Sequence, residues 1–323
     1  MRMTDDPREA ADALLAGRLV ALPTETVYGL GARADSPHAL ARVYAAKGRP
    51  ADHPLIVHVR DASALAAWAT DVPAYAAALA GAFWPGPLTL VVRRSARALD
   101  AVTGGQDTVA IRVPAHPAAR AVLDALVEST GDAAFGVAAP SANRFGRVSP
   151  TTSAHVVSEL ADVLGDGDLV LEGGASEVGV ESTIVDCTGA LPAVLRPGRV
   201  SVADIERATG LAMGEPSGAR APGTLASHYA PQASVRIVDA AALALAPAAD
   251  AMVGVLALAD VPTPSGHVRL SAPGTTDDYA RVLYASLREA DALGLAEVLA
   301  VPPPADGIGA AVADRLARAA AGG

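Results

Sequence analysis

A chain of 323 residues with 25 Lys+Arg against 35 Asp+Glu carries a formal charge of −10. That is long enough for two domains and too acidic for a dominant polyanion-binding surface, though not for a local basic pocket. Aromatic residues are 3% of a chain that is 51% hydrophobic, so Ala, Val and Leu must fill its cores, and the single cysteine, Cys187, excludes an intrachain disulfide framework and a Cys-rich zinc site.

The first seventeen residues, MRMTDDPREAADALLAG, place acids early and hold no apolar run of the signal-peptide kind. Arg8 to Gly17 shows helical spacing and a glycine stop, and Leu19 to Leu22 reads as a buried strand. Pro37 to Lys47 reads as a helix with Leu40, Val43 and Tyr44 on one face and Gly48 as its stop. Leu55 to Val59 is strand-like, and Ala62 to Ala69 and Ala74 to Trp84 are helical. Leu88 to Val92 and Val109 to Val113 are β-rich, Pro117 to Glu128 is a helix, and Gly136 to Ala139 is a strand. Ser153 to Ala161 reads as a helix, followed by short strands at Leu169 to Leu171, Thr183 to Asp186 and Val194 to Leu195, and a helix at Val202 to Thr209. This irregular mixture predicts an α/β domain with a twisted, mixed sheet.

From Met213 to Ala233 the periodicity stops in a run rich in Gly, Pro and Ser, which marks a linker or a functional lid. Beyond it, apolar strand runs at Val235 to Val238, Val253 to Leu258 and Val298 to Val301 alternate with helical patterns at Ala280 to Leu293 and Ala310 to Ala320. That pattern predicts a small Rossmann-like, three-layer α/β domain with a parallel sheet. The expected divisions are therefore 1–212, 213–233 and 234–323. The most apolar stretch, Ala240 to Val261, is broken by Pro247, Asp250 and Asp260, so no membrane span is expected and a cytoplasmic location is.

Residue usage singles out two positions. Lys47 is the one lysine and Asn143 the one asparagine in a chain whose cations are otherwise arginine. A lysine ammonium is a compact point charge that a guanidinium fork does not replace, so chance survival and a dedicated task are the two readings. Four segments are hard to explain as scaffold. Pro23-Thr24-Glu25-Thr26-Val27-Tyr28-Gly29-Leu30 follows a strand and presents hydroxyls and a carboxylate where ligands sit beyond strand ends, or where a helix is capped. Lys47-Gly48-Arg49-Pro50 suits a polyphosphate, or the solvated C-terminus of a helix. Arg112, inside an apolar strand, calls for an anion: a substrate carboxylate or an internal Asp or Glu. Ala139-Pro140-Ser141-Ala142-Asn143, with Ser149-Pro150-Thr151, offers hydroxyl and amide donors in a loop, and Glu181-Ser182-Thr183 and Arg196-Pro197-Gly198 repeat the theme. There is no Gly-Lys-Ser/Thr triplet, no nucleophilic triad and no His-x-x-x-His spacing, which leaves binding and orienting a charged substrate.

Taken together, PTETVYGLG, KGRP with PLIVHV, FWPGPLT, VAIRVPAHP, APSAN with SPT, ESTIVD and LRPG resemble the YrdC-like family of threonylcarbamoyl-AMP synthases over about the first 200 residues. SHYAP, Ser227 to Pro231, resembles the linker of that family's longer, two-domain form. The resemblance implies an enzyme that converts L-threonine, bicarbonate or CO2 and ATP into threonylcarbamoyl-AMP and pyrophosphate. That product feeds threonylcarbamoyladenosine formation at position 37 of tRNA. It implies catalytic roles for Lys47, Arg49, Ser141 and Asn143. The implied ATP site adds His53, Thr108, Ser149, Arg196 and Tyr229 to those four, and His53 stands where relatives usually carry Asn. The implied threonine pocket is Thr26, His58, Arg112, Ala139 and Ser182. Mg²⁺ is expected to ride on the ATP phosphates without a protein-held metal, and the product to pass to a tRNA threonylcarbamoyl transferase, with tRNA contact possible. The alternative is a double-stranded RNA or tRNA-binding module without ATP turnover, which the acidic charge and scarce aromatics weaken. A hydrogenase-maturation carbamoyl transferase would need zinc-binding cysteines that the chain lacks.

Overall fold

The computed structural model of the chain describes residues 1–223, 229–248 and 252–322. Its strands are β1 (Arg2–Thr4), β2 (Val20–Leu22), β3 (Gly29–Arg33), β4 (Ile56–Val59), β5 (Leu88–Arg93), β6 (Thr108–Arg112), β7 (Gly136–Ala138), β8 (Leu169–Leu171), β9 (Thr183–Asp186), β10 (Ala193–Arg196), β11 (Ser234–Ile237), β12 (Val253–Leu256), β13 (Val268–Ser271) and β14 (Glu297–Ala300). Its helices are α1 (Pro7–Leu15), α2 (Pro37–Lys47), α3 (Leu65–Trp68), α4 (Ala74–Phe83), α5 (Asp100–Thr103), α6 (Pro117–Thr130), α7 (Ser153–Leu160), α8 (Val202–Thr209), α9 (Ala240–Ala244), α10 (Thr276–Ala292) and α11 (Gly309–Ala320).

Helix ends fall where side chains dictate. In α2 the Ser36 hydroxyl accepts from the Ala39 N–H at 3.3 Å, Pro37 opens the first turn, and Gly48 closes the helix at φ +61°. This stop points the chain from Lys47 straight into Arg49. In α8 a Ser201–Asp204 capping box opens the helix and Gly210 ends it.

The strands form two sheets among the described residues. The larger has the order β1-β8-β2-β3-β7-β4-β6-β5-β9-β10 and the smaller β11-β14-β12-β13. The large sheet is mixed: β4 and β6 are parallel, while β7 runs antiparallel to both of its neighbours, β3 and β4. The small sheet is parallel throughout. On the small sheet Val255, Ala257, Leu299 and Val301 pack with Leu243 of α9, and Leu256, Val298 and Ala300 pack with α10 and α11 residues such as Leu283 and Leu316. The period-two alternation thus yields the expected three layers.

The same alternation builds the site face of the large sheet. Val57, Val59, Val109 and Ile111 point into the core with Trp68, Leu79 and Ile205. Ile56, Ala110, Val91 and Ile184 point the other way, and Ala219 and Ala221, from the stretch after α8, lie on them.

Several elements differ from expectation. Gly29 and Leu30, the end of the polar segment Pro23 to Leu30, open a further strand, β3, whose glycines reflect close packing: a Cβ on Gly31 would meet Val137 Cγ1 at 3.0 Å. The short elements β1, α5, α9 and β13 carry too few residues to show a period. The expected helix over Ala62 to Ala69 divides into a 3-10 turn at Ala62–Ala64 and α3.

Candidate active site

A cavity lies against the sheet face from which Ile56, His58 and Arg112 project. Its walls also include Thr26, Arg49, Ala139, Ser141, Ser182, Arg196 and Tyr229, together with Thr24, Val27, Gly29, Pro140, Glu181, Pro222 and Gly223. As expected of the first segment, Thr24, Thr26 and Val27 follow the C-terminal end of β2 and line the cavity, and Ala139, Pro140 and Ser141 do so after β7. From there the cavity extends over the sheet face that carries Ile56 and His58.

Nine of the expected residues line this cavity: Thr26, Arg49, His58, Arg112, Ala139, Ser141, Ser182, Arg196 and Tyr229. Lys47, His53, Thr108, Asn143 and Ser149 are not on its wall. Lys47 is buried behind it, where Nζ donates to the Ser141 carbonyl at 2.5 Å and to the Asn143 carbonyl. The Asn143 amide nitrogen donates to the carbonyls of Arg144 (2.7 Å) and Arg147 (2.8 Å). Ser149 Oγ donates to Glu181 Oε1 at 2.6 Å. Thr108 pairs with Arg93 in the β5–β6 ladder. Ser227 and His228 lie outside the described residues.

The cations dominate the electrostatics. Arg112 is buried and bridges three groups: Nη2 to Glu25 Oε1 at 2.7 Å, Nη1 to Thr26 Oγ1 at 2.9 Å, and Nε to the Gly86 carbonyl at 3.3 Å. The internal carboxylate weighed for it is thus present, and Arg112 faces the cavity as well. Burial pushes the Glu25 carboxyl up, but Arg112 outweighs it and holds it below the usual range. Arg196 donates to the Ser182 carbonyl (2.9 Å) and Oγ (3.1 Å) and to the Pro222 carbonyl (2.9 Å). Arg49 donates to the Pro54 carbonyl at 2.9 Å, and its buried Nε has no partner among the described residues. Lys47, Arg49 and Arg196 are each less than 10% exposed, and none forms an ion pair with a carboxylate among the described residues. Burial holds Arg49 down at about 10 and pushes Lys47 well below the ordinary lysine value, with Arg49 adding to the latter. Burial, then the Arg112 cation, holds His58 at about 3, so its imidazole is neutral near pH 7 and its Nδ1 is buried without a partner among the described residues.

His53 sits at the rim. Its ring meets Phe145 edge-on at 5.3 Å, and Phe145 in turn lies 5.8 Å below the Arg49 guanidinium. Burial and the Arg49 cation keep the His53 imidazole neutral at physiological pH. His53→Asn is therefore expected to retain ATP use within about tenfold, since only an edge contact worth about 0.5–1.5 kcal/mol is lost. Steady-state kinetics in ATP check this, and a collapse in turnover would give the imidazole an essential role.

Three participants escaped the sequence reading. Glu181 was visible only as one letter of a motif, yet it is buried on the cavity wall and accepts from Ser149, Tyr284 and Arg315. Tyr284 and Arg315 come from α10 and α11, and no local pattern marks them. Burial pushes the Glu181 carboxyl up, but Arg315, Arg196 and the Ser149 hydroxyl outweigh it and hold it at about 2. No group of three or more His, Cys, Asp or Glu that would hold a metal occurs among the described residues.

Buried cations around a pocket on a mixed α/β sheet, with a second small α/β domain against it, make this a two-domain α/β protein with a cation-lined cavity. A family profile described as "Telomere recombination", covering Sua5, YciO and YrdC, matches residues 12–198, and one described as "Threonylcarbamoyl-AMP synthase, C-terminal domain" matches residues 200–321. The threonylcarbamoyl-AMP synthase of Pyrococcus abyssi is 39% identical over 97% of this chain and 93% of its own. That of Bacillus subtilis is 36% identical over 99% and 94%. A crystal structure of P. abyssi Sua5 complexed with L-threonine superposes with a TM-score of 0.86 at 35% identity, covering 100% of this chain and 97% of that one. The chain belongs to the threonylcarbamoyl-AMP synthase family, in its two-domain form.

Proposed function

We propose that this chain makes threonylcarbamoyl-AMP from L-threonine, bicarbonate or CO2 and ATP, as the first step toward threonylcarbamoyladenosine in tRNA. The observation that carries this reading is the trio of buried cations, Lys47, Arg49 and Arg196, with no carboxylate ion-pair partner among the described residues. A buried cation is costly until an anion joins it, and a nucleotide polyphosphate supplies several anionic oxygens in one molecule. Ser141, on the loop gripped by Lys47, and Tyr229 face the nucleotide from the cavity wall. Asn143, Ser149, His53 and Thr108 belong to the proposed ATP site from positions off that wall.

Threonine occupies the end of the cavity bounded by Thr26, His58, Arg112, Ala139 and Ser182. Its amine adds to CO2 and loses a proton, giving a carbamate. A carbamate oxygen attacks the α-phosphorus of ATP, the bond to the bridging oxygen breaks, and pyrophosphate leaves. No protein nucleophile takes part; the side chains bring two anions together and stabilise charge on the transferring group. Mg²⁺ enters with ATP as part of the substrate and needs no protein cage. Residues 1–212 act as the catalytic domain, 213–233 as linker and lid, and 234–323 as the accessory domain. The product is handed to a tRNA threonylcarbamoyl transferase, with or without direct tRNA contact, and a cytoplasmic location is consistent with that hand-off. No helix among the described residues is long and apolar enough to cross a membrane.

Incubation with threonine, bicarbonate and Mg–ATP, with mass detection of the adduct and of pyrophosphate, tests the reading. ATP consumption without the adduct would overturn it. Within the pocket, Arg112→Ala is expected to weaken threonine binding at least about 30-fold, the lower range for losing a buried charged partner. ATP affinity should change less than about threefold. Calorimetric titration of each ligand checks this, and equal losses would reduce Arg112 to the structural partner of Glu25.

A further inference from the structure

The second domain meets the first along one stripe of α10. Asp277, Arg281, Tyr284, Arg288 and Asp291 recur at three- and four-residue steps, which places them on a single helix face. Asp277 pairs with Arg199, and Arg281 Nε donates to the Glu177 carbonyl at 3.2 Å. Arg288 Nη1 donates to Glu159 Oε2 at 3.1 Å, while Asp291 Oδ1 accepts from the Gln232 N–H at 2.7 Å. Near the N-terminal end of the stripe the approach leaves room only for glycine. Gly179 has φ +79°, and a Cβ there would lie 2.4 Å from the Ala280 carbonyl oxygen. The helix is therefore seated against the first domain at a fixed register.

What the centre of the stripe reaches is the cavity wall. Tyr284 Oη donates to Glu181 Oε2 at 2.8 Å, and Arg315 Nε from α11 donates to the same oxygen at 2.8 Å. The Arg315 side chain is fully buried, and its Nη2 donates to the Pro197 carbonyl at 3.1 Å, beside Arg196. Glu181 Oε1 accepts from Ser149. The Tyr284 ring stacks on Tyr229 at 5.6 Å, and the Arg315 guanidinium lies 5.1 Å from the Tyr229 ring centre. Within the first domain Arg196 lies near Glu181 but spends its donors on Ser182 and Pro222, so among the described residues the cation in direct contact with Glu181 is Arg315.

We propose that Arg315 and Tyr284 are positioning residues of the ATP site, supplied by the second domain to neutralise and fix the Glu181 carboxylate. This rests on reading the cavity as the ATP site. A buried, uncompensated carboxylate on the wall would repel an incoming polyphosphate with little solvent to screen it. It would also be free to swing, taking the Ser149 hydroxyl with it. Arg315 Nη1 also pairs with Asp314, which Arg318 pairs with in turn, so two cations balance two carboxylates around Glu181 and the positive charge of Lys47, Arg49 and Arg196 is left for the nucleotide. The accessory domain is thus part of the site's electrostatic design, not an appendage joined by a tether.

The test is ligand binding by the full chain, with Mg–ATP and L-threonine titrated separately by calorimetry. Arg315→Met is expected to weaken ATP binding at least 30-fold and threonine binding less than threefold. The double variant Glu181→Gln with Arg315→Met is expected to regain at least tenfold of that loss, because the group that needed a counter-charge is gone. A purely structural arginine would show no such rescue. Tyr284→Phe, a near-isosteric change that keeps the ring stack, is expected to weaken ATP binding three- to tenfold, and it carries the test should Arg315→Met fail to fold. Unchanged ATP affinity in Tyr284→Phe and Arg315→Met, parallel loss of both ligands, or a double variant no better than the single would each overturn the proposal. An unmodified chain that binds threonine but not ATP would instead overturn the nucleotide reading on which it rests.

Discussion

Lys47→Ala is expected to lower the rate of adenylate formation by about 30- to 5,000-fold in a protein that still folds. The range follows from losing a buried, hydrogen-bonded charge partner, about 2–5 kcal/mol. Lys47 ends α2 and is only 3% exposed, and its ammonium holds the carbonyls of Ser141 and Asn143. Two neutral carbonyls do not compensate a buried cation, and Arg49, two residues on, is another cation. The position is thus disfavoured in the free protein and satisfied when a phosphate arrives. Lys47→Arg is not expected to restore the rate, because a planar fork cannot occupy the compact site between the two carbonyls without moving the Ser141–Asn143 loop. Pyrophosphate release and ATP titration measure both variants. Near-normal turnover in Lys47→Arg would remove the argument that a point charge is required.

What was legible in the sequence was local. Pro37 opens and Gly48 closes the expected helix, and the matching helix Pro37–Lys47 is found. The rarity of Lys47 and Asn143 singled out the two positions, and Lys47 Nζ donates to the Asn143 carbonyl. What was hidden depends on distance along the chain. Glu181 and Arg315 are 134 residues apart, so no motif joins them. The meeting of His58 and Arg112 was also hidden, because register is a property of the assembled sheet: the pairing of β4 with β6 sets them side by side on the face that bounds the cavity. The β3 strand was missed because Gly29 and Gly31 look like a turn, whereas they are there for close approach to Ala139 and Val137.

Gly223→Val is expected to lift the strap over the cavity and to cut turnover at least tenfold, leaving both sheets intact. The chain after α8 is tied down at intervals. The Gly214 N–H donates to the Pro192 carbonyl at 2.8 Å, the Ser217 N–H donates to Asp186 at 2.9 Å, and the Arg220 N–H donates to the Gln106 side chain at 2.7 Å. Ala219 and Ala221 then cover the apolar face around Ile56 and Ile184, and Arg196 grips the Pro222 carbonyl. Gly223 has φ +77°, and a Cβ there would stand 2.1 Å from Tyr229 Oη and 3.1 Å from Arg196 Nη1. Any larger residue costs backbone strain of about 1 kcal/mol or more and must displace Tyr229, itself held at φ +63° on the cavity wall. A carbamate loses CO2 in water, and the adenylate formed from it is hydrolysed there, so loosening this cover slows turnover and lets adduct already formed from ATP break down. Two measurements check the argument: the ratio of adduct to ATP consumed, which should fall in Gly223→Val, and protease cleavage within residues 213–233, which should slow when ATP and threonine are bound to the unmodified chain. Full activity with an unchanged adduct ratio, together with cleavage indifferent to ligands, would leave the strap a tether between two domains.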